Sequence, residues 1–283
     1  MFFPFAFRSF MRNFAAMKQC MILAAGLGTR LKPITNTLPK ALVPVGGVPL
    51  LDLNIRRLRA QGYDRFVVNV HHFAQQIIDH VGKQDYAPLV HFSDETEQLL
   101  ETGGGLKKAQ RLFRDDEPIL IHNVDILDNV DYEWMRRQHQ DDEDAVLLVS
   151  KRKTKRYLLF DGAMRLVGWK NIETGQVKSP FPWLRDWDFS IDDDLQVKAR
   201  EGNSHAQAPS SQYYAFAFSG IHSFSPRLFR LMDRFPDRFG IIDFYLSVCH
   251  RSRIVGLQKN DLRVLDVGKL DSLSEAEYFM NKT

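Results

Sequence analysis

The stretch Leu23-Ala24-Ala25-Gly26-Leu27-Gly28-Thr29-Arg30-Leu31-Lys32-Pro33, running on to Leu38-Pro39-Lys40-Ala41-Leu42-Val43-Pro44-Val45, constrains this chain more than any other. It follows the apolar run Cys20-Met21-Ile22-Leu23, which reads as a buried strand. Small residues at Ala24, Ala25, Gly26 and Gly28 let the backbone approach a flat or charged group closely. Thr29 offers a hydroxyl. Arg30 offers a planar fork suited to phosphate, and Lys40 a compact positive charge. A loop leaving the carboxyl end of a first strand is where an open α/β sheet binds its ligand. The loop is therefore expected to hold a nucleoside triphosphate.

Other glycine-rich loops fit less well. The string G-x-x-x-x-G-K-[ST] of a Walker loop is missing here. A dinucleotide fingerprint, G-x-G-x-x-G, fails because Leu31 stands where its third glycine belongs. That fingerprint also wants an acid after the second strand, but Arg65-Phe66-Val67-Val68-Asn69-Val70 leads into His71. A purely structural turn would have no use for Arg30 and Lys40.

Charge and cysteine content narrow the partners. A net charge of +3 over 283 residues is too small to argue for nucleic acid. The one basic run, Lys151-Arg152-Lys153-Thr154-Lys155-Arg156, reads either as a solvated face or as an attractor for phosphorylated substrates. Two cysteines, Cys20 and Cys249, lie far apart, which gives neither a zinc motif nor a disulfide framework and fits a reducing cytoplasm. No segment reaches the ~20 apolar residues needed to span a bilayer. Residues 1–16 are rich in phenylalanine and carry two arginines, without a clean apolar core segment. They are read as a leader or an upstream start, with Met17 the natural beginning.

Further candidates follow along the chain. Residues 49–62 read as a helix, with Leu51, Ile55 and Leu58 on one face. His71 and His72, after the second strand, either touch substrate or cap the next helix. Thr102-Gly103-Gly104-Gly105 precedes an expected helix at about 104–113 and makes a second close-approach site. Pro118-Ile119-Leu120-Ile121-His122-Asn123-Val124-Asp125 is an apolar strand ending in an acid. A carboxylate so placed, opposed to phosphates, is a natural Mg²⁺ ligand. Asp128 and Asp131 read as helix caps. Tyr157–Phe160 and Met164–Trp169 flank Asp161-Gly162 as a hairpin. Residues 175–212 look irregular.

The string L-A-A-G-x-G-T-R-L-x-P, followed by P-K-A-L-V-P-V and a Gly-x-Pro, resembles the signature of the sugar-1-phosphate nucleotidylyltransferases. The segment Glu101-Thr102-Gly103-Gly104-Gly105 looks most like the N-acetylmuramate-1-phosphate uridylyltransferases within that group. The resemblance implies a three-layer, Rossmann-like α/β fold, mostly parallel, with a β-rich substrate lobe inserted after about residue 150. One domain would run from 17 to 283, with 17–150 binding nucleotide and 151–283 binding sugar and completing a metal site. The implied reaction is transfer of NMP from an NTP to a sugar 1-phosphate in the cytoplasm. UTP and N-acetylmuramate 1-phosphate come first. Mannose- or heptose-directed guanylyl transfer, glucose-directed thymidylyl or uridylyl transfer, and a non-catalytic nucleotide-sugar sensor stay open.

Residue by residue, the resemblance implies that Arg30 and Lys40 act on the phosphates and that Asp125 with Asp266 holds Mg²⁺. It implies that Thr102, Gly103 and Gly104 present backbone to a nucleobase, and that Lys170 and Gly220 face the sugar phosphate. Val124 stands where the family has glycine, and is expected to crowd the base or metal. Oligomeric state is not readable.

Overall fold

Within residues 18–199 and 212–280, the part described by the computed structural model, the chain sorts its apolar residues onto two faces of one sheet. The expected leader at 1–16 lies outside the described residues. In chain order the first half comprises β1 (Lys18–Leu23), α1 (Leu50–Ala60), β2 (Tyr63–Val70), α2 (Ala74–Val81), β3 (Val90–Asp94), α3 (Glu101–Ala109), β4 (Ile119–Asn123), β5 (Ile126–Asp128), α4 (Tyr132–Gln138) and β6 (Ala145–Ser150). The second half comprises β7 (Arg156–Asp161), β8 (Leu166–Asn171), β9 (Val177–Lys178), α5 (Pro182–Asp186), β10 (Phe189–Ile191), β11 (Val197–Ala199), β12 (Tyr213–Phe224), α6 (Phe229–Met232), α7 (Ile241–Val248), β13 (Ile254–Gln258), β14 (Val264–Asp266) and α8 (Ser272–Met280).

Strands β1, β2, β3 and β4 pair in parallel, as do β6 and β13. Met21 lies beside Val67 and Ile121, while Cys20 lies beside Phe66 and Leu120. Because successive side chains alternate between faces, Met21, Val67 and Ile121 build one apolar layer and Cys20, Phe66 and Leu120 the other. Strands buried on both faces read as unbroken apolar runs. Helices α1, α2 and α4 cover the Cys20 face, and α3, α6 and α7 the Met21 face. The fold is thus the expected three-layer α/β arrangement. No helix among the described residues is long and apolar enough to cross a membrane.

The long strand β12 joins the two halves. Its first residues pair antiparallel with β7, and its last pair antiparallel with β4 and β6. The register shifts between Phe218 and His222, where Gly220 sits at φ +81°. The expected hairpin forms between β7 and β8. Its left-handed residue is Met164, φ +58°, rather than Gly162. The stretch expected to be irregular is structured as far as 199: it holds β9, α5 and the β10–β11 hairpin. Alternating apolar positions at Phe189, Leu195 and Val197 feed the core, a signal too short to register without the partner strands.

Helix α3 begins at Glu101, three residues before the expected start, and encloses the glycine run. The amides of Gly103 and Gly104 both donate to the Phe239 carbonyl, at 2.9 and 3.1 Å. The Thr102 hydroxyl accepts from the Ile241 amide at 2.9 Å. A Cβ at Gly103 would strike the Phe239 ring, and one at Gly104 the Asp237 carbonyl. The two glycine amides and the Thr102 hydroxyl are therefore spent on docking the segment before α7, which corrects the expectation that the Gly103 and Gly104 amides face a nucleobase. Asp131 does cap α4, accepting from the Trp134 amide at 3.0 Å, but Asp128 is a buried hub described below.

Gly104→Ala should cost about 1–3 kcal/mol of stability through overpacking, while Gly26→Ala, which meets nothing within 4 Å, should leave the Tm unchanged. Thermal unfolding of both variants checks this. A second prediction concerns His222, fully buried with neither ring nitrogen hydrogen-bonded to protein. Burial, helped by nearby His122, holds its pKa down to about 3. The unfolded chain takes up that proton near pH 6.5. Stability is therefore complete above about pH 6.5 and is lost as pH falls toward 3. Urea unfolding from pH 7 to 4 should show His222→Phe with a shallower pH slope, by about one proton.

Candidate active site

The glycine loop leaves the carboxyl end of β1 on the side where β2, β4 and β6 also end. Gly28 takes φ +63°, and its carbonyl accepts from the Leu31 amide and the Thr35 hydroxyl, at 2.9 and 2.8 Å. The turn Thr29–Leu31 that results buries Leu31 and leaves Thr29 and Arg30 exposed. A Cβ on Gly28 would lie 2.9 Å from Thr35 Cγ2, so the turn admits only glycine here. Ala24 and Ala25 are buried, Gly26 and Leu27 exposed. The Ala24 amide is engaged, donating to Asn69 Oδ1 at 2.7 Å.

Lys40 rises from a second short turn, Lys40–Leu42, and pairs with the Asp125 carboxylate. Both side chains are largely buried, 13 and 12% exposed, so the pair is shielded from solvent screening. Asp125 lies between β4 and β5. The residue before it, Val124, turns its side chain into the apolar core, 2% exposed. It does not crowd the site, and the expectation that it would is corrected. Its carbonyl accepts from Asn54 of α1 at 2.8 Å, and its amide donates to Leu23 at 3.2 Å.

Asp266 arrives by a long-range pairing. Strand β14 lies antiparallel on β5, with Asp266 opposite Ile126 and Val264 opposite Asp128. The Val267 amide then donates to the Asp125 carbonyl at 2.8 Å, and the Gly268 amide to Asp266 Oδ1 at 2.8 Å. Arg30 Nη1 lies 3.7 Å from Asp266 Oδ2. A Cβ built on Gly268 would sit 2.6 Å from Asp266 Oδ1, 2.7 Å from Arg30 Nη2 and 2.9 Å from Asp125 Oδ2. Arg30, Lys40, Asp125 and Asp266 thus converge over Gly268, which the motifs did not single out. Among the described residues no group of three or more His, Cys, Asp or Glu side chains is placed to hold a metal ion.

A buried network braces this loop from below. Asp128 accepts from the Val130 amide (2.7 Å), the Tyr132 hydroxyl (2.8 Å) and His122 Nε2 (3.1 Å), and it pairs with Arg57. Burial pushes its carboxyl up, but His122 and Arg57 outweigh that and hold it below the usual range. Arg57 also donates to the Asp128 and Val130 carbonyls. A second carboxylate, Glu95, is wholly buried after β3. His71, expected to touch substrate or cap a helix, instead hydrogen-bonds the Glu95 carbonyl at 2.6 Å.

The two expected sugar-side residues stand apart from the four. Gly220 lies beside Asn123, two residues before Asp125; a Cβ there would press on Asn123 Nδ2 at 2.7 Å. Lys170 is buried, with Nζ donating to the Phe189 carbonyl at 2.6 Å and lying 3.8 Å from the Phe189 ring centre. It forms part of the wall of a cavity of about 720 Å³, bounded also by Lys151, Tyr157, Arg185 and Trp187.

Comparison with known proteins bears on the family and the fold. Residues 19–158 match the family described as Nucleotidyl transferase. The chain is 46% identical over 113 residues to an N-acetylmuramate alpha-1-phosphate uridylyltransferase of Caulobacter vibrioides, covering 39% of this chain and 46% of that protein. It is 37% identical over 115 residues to the protein of the same name from Neisseria meningitidis, covering 40 and 49%. The matches thus span about half the length of these relatives. A UDP-glucose pyrophosphorylase complexed with UDP-glucose superposes with a TM-score of 0.67 at 16% identity, over 94% of this chain and 99% of that one, and shares the fold. The match over residues 19–158 agrees with the resemblance carried by the motif of the glycine loop.

Proposed function

We propose that this chain is a sugar-1-phosphate nucleotidylyltransferase, transferring a nucleoside monophosphate from a nucleoside triphosphate to a sugar 1-phosphate with release of pyrophosphate. The observation that carries this reading is the convergence of Arg30, Lys40, Asp125 and Asp266 over Gly268. Two cations beside two carboxylates, at the open end of a parallel sheet, suit phosphates better than any neutral substrate.

In the proposed reaction an oxygen of the sugar phosphate attacks the α-phosphorus in line, and the bond from that phosphorus to the bridging oxygen breaks. The nucleophile is already ionised near neutrality, since the second pKa of a phosphate monoester is about 6. No general base is required. What the protein supplies is positioning and charge neutralisation. Arg30, exposed on its turn, holds the departing pyrophosphate. Lys40, already desolvated against Asp125, draws on the phosphates around the reacting centre. Ala25, Gly26, Gly28 and Thr29 frame the triphosphate; Ala24 serves through its tie to Asn69.

A divalent ion fits the carboxylate pair. Asp125 Oδ2 and Asp266 Oδ1 face one point beside Gly268, with Lys40 on Asp125 and Arg30 Nη2 at the same point, so an ion there would need both cations to move onto the phosphates. Two carboxylates completed by phosphate oxygens and water suit Mg²⁺. Bound there, the ion would neutralise charge on the phosphates being exchanged.

For the substrates, the two uridylyltransferase relatives support UTP and N-acetylmuramate 1-phosphate. The cavity beside Lys170 has the volume and the aromatic walls for a sugar. A cytoplasmic setting suits the free thiols of Cys20 and Cys249.

Pyrophosphate release with Mg²⁺, measured over UTP, dTTP, GTP, CTP and ATP against a panel of sugar 1-phosphates, tests the reading. The UTP and N-acetylmuramate 1-phosphate pair should be the active combination. A blank grid with nucleotide still raising the Tm would instead make the chain a nucleotide-sugar sensor. Asp125→Asn should lower turnover by at least about 10²-fold with the fold retained by circular dichroism, though with a lower Tm because Lys40 loses its buried partner; wild-type turnover at saturating Mg²⁺ would remove Asp125 from the metal site. Arg30→Ala should raise the nucleotide KM about tenfold or more and leave the sugar-phosphate KM nearly unchanged. Equal rises in both would mean that the loop does not hold the triphosphate.

A further inference from the structure

Glu95 has no place in any motif, yet it is 0% exposed. Its Oε1 accepts from Asn69 Nδ2 at 2.7 Å, and its Oε2 accepts from the Leu100 amide at 3.1 Å. The other end of the Asn69 amide, Oδ1, accepts from the Ala24 amide at 2.7 Å. One unbroken chain of hydrogen bonds therefore runs from the glycine loop, through β2, to the residue before α3. Its backbone is pinned as well: the Glu95 amide donates to the Val70 carbonyl, and the Glu95 carbonyl receives His71 Nδ1 and the Gln98 amide. Gly105 admits the carboxylate, since a Cβ there would lie 2.6 Å from Glu95 Oε1 and 3.0 Å from Asn69 Nδ2.

The polarity of this chain is fixed at both ends. Ala24 and Leu100 each offer only a backbone N–H. Asn69 must turn its oxygen to Ala24, so its NH₂ faces Glu95. Residue 95 must then accept twice, once on each oxygen, which an ionised carboxylate does and an amide cannot. A glutamine would place its own NH₂ against either Leu100 N–H or Asn69 NH₂. If Asn69 flipped to relieve the clash, its NH₂ would oppose Ala24 N–H, and the loop would lose its anchor.

We propose that Glu95 is the positioning residue of the nucleotide loop, an ionised double acceptor that fixes Ala24 against the start of α3 through Asn69. The kinetic part of this proposal rests on the reading of the chain as a nucleotidylyltransferase, and the structural part does not. Glu95 touches no substrate; it acts by holding the glycine loop, which frames the triphosphate, against the start of α3.

The test is Glu95→Gln, with Asn69→Ala removing the same link from its other side and Glu95→Asp keeping the carboxylate. Circular dichroism and Tm first establish that each variant is folded. Amide hydrogen exchange in Glu95→Gln should then rise at both Ala24–Thr29 and Leu100–Gly105. A rise confined to Leu100–Gly105 would overturn the relay, whether or not the chain turns over nucleotides. In steady-state assays the nucleotide KM should rise about tenfold, as expected when a buried donor loses its partner, with the sugar-phosphate KM within about twofold. Glu95→Asp should recover part of the loss, and the double variant with Asn69→Ala should be no worse than the single ones. Equal KM rises for both substrates, or a lower Tm with both KM values unchanged, would overturn the proposal.

Discussion

A ladder of three residue pairs, Val264–Asp266 on Ile126–Asp128, is the contact on which the site depends. It brings the end of the chain back to the carboxyl edge of β4 and places Asp266 next to Asp125. Joining segments so far apart in sequence carries a loop-closure cost that grows slowly with length. A short ladder alone would not hold against it. The structure adds the Val267 amide on the Asp125 carbonyl, the Asn129 side chain on the Arg263 amide and Asp261 carbonyl, and the buried Val267 side chain. From beneath, Asn54 and Arg57 of α1 hold the carbonyls of Val124, Asp128 and Val130, so the aspartate loop is gripped from two sides.

What was legible in the sequence was whatever is local. The loop from Ala24 to Arg30 carries its chemistry in consecutive residues, and Lys40 and Asp125 follow short apolar runs that mark strand ends or turns. Asp266 could be assigned only by resemblance, because its neighbour is set by strand pairing and not by spacing. Glu95 and Asn69 were silent. A lone acid after a strand looks like a solvated loop residue until its burial and its two donors are seen. The glycine run was legible as a close-approach site, but not which surface approaches. The neighbours are Phe239, Asp237 and Glu95, one for each of three successive glycines. Val124 was read as an obstacle because the alternation of side chains past the end of β4 cannot be phased from sequence alone.

The same division holds for the fold. Strands β1, β2, β4 and β6 announce themselves as apolar runs, and their parallel stacking follows from the helices between them. The lobe was legible only at its hairpin. Strands of two or three residues, such as β9, β10 and β11, have no periodicity to detect; they form because Leu184, Trp187, Phe189, Leu195 and Val197 share one apolar cluster with β7 and β12. Lys170 reads as a polar strand residue, and its burial against Phe189 depends on that cluster having already formed.

Strand β12 bears on how such chains can be recombined. It belongs to both halves at once, and its register shift at Gly220 is the seam between them. A chimera that exchanged the lobe at loop positions would import one half of this strand together with a foreign bulge. Gly220 and Asn123 would then lose their mutual fit, two residues from Asp125. The exchangeable unit is therefore not bounded by loops: it ends inside a strand, and both halves of the sheet are held through the same twelve residues.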